Sequence, residues 1–111
     1  MTVNDLIASG LFTLVNEGDF PETEISKIFC CDLLSIAMSR ASAGCAWVTV
    51  MGNMNTLAVA SLSDAACIVL AEGVLLDEIA STKAVQQGIT VLKTDMPVFD
   101  AALAIHQKMN A

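Results

Sequence analysis

The chain has 111 residues, 55% of them hydrophobic, and a formal charge of −7 from 12 acidic and 5 basic side chains. That length suits one domain, residues 1–111, with a real core, and the acidic balance excludes nucleic acid as a partner, because phosphate backbones are gripped by clustered Lys and Arg. No apolar stretch approaches the roughly 18 residues of a membrane span, and Met1–Asp5 lacks the basic start of a signal peptide, so a cytoplasmic protein without a membrane partner is expected.

Taken in chain order, Thr2 caps a first helix running to about Ser9, with Asp5 as the acidic half of a capping box and Gly10 as its stop. Leu11–Val15 reads as a short strand closed by the turn formers Asn16-Glu17-Gly18-Asp19; it can join the main sheet or pair with a neighbouring chain. Ile25–Cys30 mixes polar and apolar residues, as a strand near a sheet edge does. Asp32 stands where it can cap a helix carrying Leu34, Ala37, Met38 and Ala41 on one face, stopped by Gly44.

From Gly44 onward a unit repeats: apolar run, polar corner, helix pattern. Cys45–Met51 leads to the corner Gly52-Asn53-Met54-Asn55, where Asn53 or Asn55 caps a helix bearing Leu57, Ala58 and Leu62. Ala65–Ala71 leads to Glu72-Gly73 and a helix that begins at Leu76-Asp77-Glu78 and ends at Gly88. Ile89–Lys93 leads to Thr94-Asp95-Met96-Pro97 and a last helix with Val98, Ala102, Ile105 and Met109 as its buried stripe. Short apolar runs without alternation are strands buried on both faces, the mark of a parallel sheet covered by helices. The expected architecture is a single three-layer α/β domain, with a mostly parallel sheet of about four to five strands and helices on both faces. The apolar excess is more than such a domain can hide, which points to a homodimer contact.

Ligands of open α/β sheets sit beyond the carboxyl ends of the strands. Parallel strands put Asn53, Gly73 and Asp95 on one such rim, and the candidate ligand-binding residues are Gly52, Asn53, Asn55, Glu72, Gly73, Thr94 and Asp95. Helix starts with mixed polar groups can hold a small polar ligand or a nucleotide. Helix caps and tight turns call for the same residue types, so capping alone also accounts for them.

No phosphate loop, dinucleotide fingerprint or hydrolase elbow is present. The single His106 has no evident partner, and no base is placed beside a nucleophile, so a non-enzyme without cofactor or metal is expected; a small enzyme using Asp95 or Glu72 as base is the lesser reading. Cys45 and Cys67 lie in buried strand patterns. Adjacent Cys30 and Cys31 read as a reduced pair at a strand end, or as a redox element of a protein-interaction accessory.

The order Cys31-Asp32-Leu33-Leu34-Ser35, Trp47–Gly52, Ile68–Gly73, Gly88–Leu92 and Asp95–Ala102 resembles the DRTGG domain family from about Ile25 to the C-terminus. In that family the corner after the first of these strands commonly carries Asp-Arg after its glycine, where this chain has Asn53-Met54. The next commonly reads Thr-Gly-Gly, where this chain has Ala71-Glu72-Gly73. The missing Arg takes away an anion clamp. The resemblance implies a regulatory or accessory domain of the kind found beside CBS domains or standing alone, some near iron-only hydrogenase genes. It implies a fold similar to the N-terminal domain of HPr kinase/phosphorylase, which is not the kinase domain. A protein partner in redox or hydrogenase-related metabolism is the alternative it brings.

Overall fold

The computed structural model describes residues 1–111. Helix α1, Val3–Ala8, precedes strand β1, Thr13–Asn16, and β2, Lys27–Cys30. Three strand–helix units follow the pattern of the sequence: α2, Leu34–Arg40, enters β3, Cys45–Thr49; α3, Met54–Leu62, enters β4, Cys67–Leu70; and α4, Glu78–Gln87, enters β5, Thr90–Lys93. Helix α5, Val98–Met109, closes the chain.

The sheet order is β1-β5-β4-β3-β2. β2 to β5 are parallel, and β1 joins the far edge antiparallel to β5, with Thr13 opposite Lys93. The sheet is therefore mixed, and Leu11–Val15 contributes its strand to this chain's own sheet. Each step from β2 to β5 moves one place in the same direction. Crossovers of constant hand then deliver every connecting helix to one face, and α2, α3 and α4 do lie together there. Ala37, Leu57, Ala60, Ala80 and Ala84 pack on Cys45, Trp47, Ile68, Leu70 and Val91. On the other face Val3 and Leu6 of α1 and Ala101 and Ile105 of α5 pack on Ala46, Val48, Cys67, Val69 and Leu92. Residues alternate between two covered faces, so every residue of β3 and β4 is buried and no polar alternation survives.

Local signals fare well at the helix ends. Thr2 and Asp5 form the capping box, Asn53 caps α3, Asp77 caps α4 and Gly88 ends it at φ 65. Asp32 departs from the expectation. The N-cap of α2 is Leu33, with no side-chain bond, while the Asp32 carboxylate accepts hydrogen bonds from Thr49 Oγ1 at 2.8 Å and Val50 N–H at 2.9 Å. It ties the end of β2 to the end of β3. Two apolar assignments also move outward: Met38 of α2 is exposed, and Leu62 of α3 is 75% exposed. Trp47 is fully buried and its indole Nε1–H donates to the Cys31 carbonyl at 2.9 Å, satisfying the one polar atom it takes into the core.

Candidate functional site

Because β3, β4 and β5 are parallel, the corners that follow them share the carboxyl rim of the sheet with the starts of α3, α4 and α5. The loops after β3 and β4 lead to the α2–α4 face, whereas the loop after β5 leads to α5 on the opposite face. Successive loops thus diverge between β4 and β5, the place where open sheets form a crevice.

Much of the backbone there is already engaged. Glu72 N–H donates to the Met96 carbonyl at 2.8 Å and Gly73 N–H to the Thr94 carbonyl at 3.0 Å, which laces the two corners together. Glu72 holds φ 59 and Gly73 φ 74. That left-handed pair suits glycine, and at Glu72 it is held with a side chain in place. Thr94 N–H donates to the Leu70 carbonyl at 2.8 Å, and Thr94 Oγ1 accepts from Met96 N–H at 3.2 Å. At the neighbouring corner Asn53 Oδ1 accepts from Thr56 N–H at 3.2 Å. A Cβ at Gly52 would collide with the Leu75 carbonyl, so this glycine serves the contact between two corners. Gly52 also accepts from Asp77 N–H at 3.0 Å.

A depression of about 170 Å3 remains beside β5, lined by Thr13, Gly73, Leu75, Lys93, Thr94 and Asp95. Of the residues singled out by sequence, it gathers Gly73, Thr94 and Asp95; Gly52, Asn53, Asn55 and Glu72 stand outside it. Thr13, Leu75 and Lys93 were missed. Lys93 carried a usable signal, a cation at the carboxyl end of a parallel strand, but Thr13 arrives from the antiparallel β1 and has no local signature. The chain's one salt bridge joins the Met1 amino group to Glu24 at 3.1 Å, so the Lys93 ammonium has no carboxylate partner. It is the single positive charge of this depression, with the exposed Asp95 carboxylate beside it.

Elsewhere the titratable groups are dispersed. No group of three or more His, Cys, Asp or Glu side chains comes together to hold a metal ion. The four cysteines are free thiols. Cys30 is exposed, but partial desolvation, and secondarily the Asp32 charge, pushes its thiol above its ordinary value, which makes its thiolate scarcer at neutral pH. His106 is exposed on α5, with Asn110 Nδ2 at 3.4 Å from its Nδ1.

No protein-family model matches the chain, and no curated protein matches it in sequence. Among solved structures it is similar to the CBS and DRTGG domains of the regulatory region of Clostridium perfringens pyrophosphatase, crystallised with the activator diadenosine tetraphosphate. The match has a TM-score of 0.71 at 14% sequence identity and covers 94% of this chain. It covers 45% of that chain, so this protein spans a little under half of its length. At this identity the two share a fold. No helix of the chain is long and apolar enough to cross a membrane.

Proposed function

We propose that the chain is a DRTGG-like regulatory or accessory domain, without catalytic chemistry of its own, that works as a homodimer and takes a small polar ligand at the β4–β5 rim. The observation that carries this reading is the depression where the β4 and β5 loops diverge, with unpaired Lys93 set between the Thr13 and Thr94 positions. A fold shared with a nucleotide-regulated region supports it. Pockets that enclose a whole small molecule run to roughly 300–1,000 Å3, so a site of about 170 Å3 suits one anionic group of a ligand, a phosphate or a carboxylate, whose remainder lies on the surface. The absence of a base–nucleophile pair anywhere on the rim favours binding over catalysis.

Titrating ATP, diadenosine tetraphosphate and inorganic phosphate while following amide NMR shifts and the melting temperature tests the ligand. A ligand at 100 times its Kd stabilises by about 2.7 kcal/mol, on the order of 10 °C for a domain of this size. The reading expects shifts at Thr13, Gly73 and Thr94 that disappear in Lys93→Ala. No stabilisation by any of the three, with no shift at this rim, would remove the ligand from the proposal.

The alternative, a protein-interaction accessory, draws on Leu33, Ile36 and Met38, which leave an apolar surface on and beside α2 next to the Cys30–Cys31 pair. Cys30→Ser/Cys31→Ser would abolish a redox-dependent association; an unchanged association would leave the surface without a role for the thiols.

A further inference from the structure

A second cavity, of about 350 Å3, lies at the opposite end of the sheet, where β3, β4 and β5 begin. Its volume falls within the range of small-molecule sites, and its walls combine an aromatic ring with negative charge that no basic side chain answers. Phe20 lines it at 72% exposure and belongs to neither core cluster. Asp64 lines it too, at φ 54, directly after the C-cap of α3. Helices α3 and α4 both end here, through Ser61 and through Gln87 and Gly88. A helix C-terminus carries about half a negative charge and is usually answered by Lys, Arg or His in the last turn; neither helix has a basic residue there. No Lys or Arg lines the cavity; the Asp19 carboxylate, which lies against Gly88, stands outside its walls.

Asp64 burdens the fold twice. A left-handed backbone favours Gly or Asn, and a carboxylate at a helix C-terminus meets the negative end of the dipole. Nearby Ser42 Oγ is the chain's one buried side-chain polar atom without a hydrogen-bond partner, in the segment that leads into the cavity-lining Ala43 and Gly44.

We propose that this cavity binds an organic ammonium cation. Asp64 and the two helix ends hold the charge, and the Phe20 ring faces its alkyl groups through a cation–π contact. An anion would be repelled by each of these charges, and a neutral molecule would leave them unanswered. A bare metal ion finds no chelating set, since no three ligating side chains converge. The site is separate from the one proposed at the carboxyl rim, so either stands without the other.

Choline is the probe, titrated into the isotope-labelled full chain beside its uncharged isostere, in which a tert-butyl group replaces the trimethylammonium. The expected result is saturable movement of the Phe20, Gly44, Asp64 and Gly88 amides by choline, with none by the isostere. Phe20→Ala and Asp64→Asn each weaken choline about tenfold, the scale of a desolvated cation–π or charge contact. Asp64→Asn also raises the melting temperature, so its lost binding is not lost folding. Equal shifts from the isostere, no saturable shift at all, shifts confined to another surface, or unchanged affinity in Asp64→Asn would each overturn the assignment.

Discussion

At the scale of single residues, burial on both faces of the sheet sets the chemistry of the interior. Cys67 is fully buried, and loss of hydration, with the nearby Cys45 adding to it, pushes its thiol from 9.0 up to about 12. The folded state therefore keeps this proton where the unfolded chain releases it. The resulting stabilisation is fully present below pH 9 and is lost as pH rises toward about 12, at up to about 1.4 kcal/mol per pH unit. Urea unfolding across that window should show the decline, and Cys67→Ala should flatten it while lowering stability at neutral pH. Gly52 supplies a steric counterpart. Its missing Cβ lets the β3 corner touch the Leu75 carbonyl, so Gly52→Ala should lower stability by roughly 1–3 kcal/mol through overpacking, read as a fall in the urea midpoint. An unchanged midpoint would mean that the two corners part at little cost.

Elements show why some parts of the chain were legible and others were not. Thr2 and Gly88 act within three or four residues of themselves, so capping rules place them from the sequence; the same rules narrow the α3 cap to Asn53 or Asn55 and start α4 at Leu76-Asp77-Glu78, where Asn53 and Asp77 prove to be the caps. Asp32 satisfies the same local rule, yet its carboxylate is drawn to Thr49 and Val50 on the neighbouring strand. The two roles predict different mutants. Serine caps a helix about as well as aspartate, so a capping role would make Asp32→Ser neutral. The cross-strand tie instead expects Asp32→Ser to lose as much as Asp32→Ala, about 1–2 kcal/mol for the two hydrogen bonds. Helix α3 shows a different limit. It carries no charged residue and almost no amphipathic asymmetry, so its sequence does not say which side faces the sheet; packing buries Leu57 and Val59 and turns out Met54 and Leu62.

For the whole molecule, that outward side of α3 bears on assembly. That side exposes Met54 and Leu62 with no charged side chain, and a charge-free face is where two copies of a −7 protein approach with least repulsion. The homodimer proposed above would use this α2–α4 layer. Sedimentation should give a dimer for the native chain and a folded monomer for Leu62→Glu, since Leu62 is 75% exposed and its replacement leaves the core intact. A native monomer, or a dimer untouched by Leu62→Glu, would place the contact elsewhere or abolish it.

By itself the sequence determined the buried strands, most helix caps and the sharing of one rim by the corners at Asn53, Gly73 and Asp95. All of these follow from periodicity and turn chemistry acting over a few residues, plus the rule that helix-linked parallel strands run the same way. Only the tertiary structure decided that β1 would run antiparallel beside β5 and bring Thr13 opposite Lys93. It also sent α5 to the face opposite α4, so that the helices after β4 and β5 part to opposite faces beside the depression at β5, and gathered Phe20, Asp64 and Gly88 around a cavity at the far rim. These arrangements join residues far apart in the chain. They depend on how the covered faces pack together, and no short stretch of sequence carries that information.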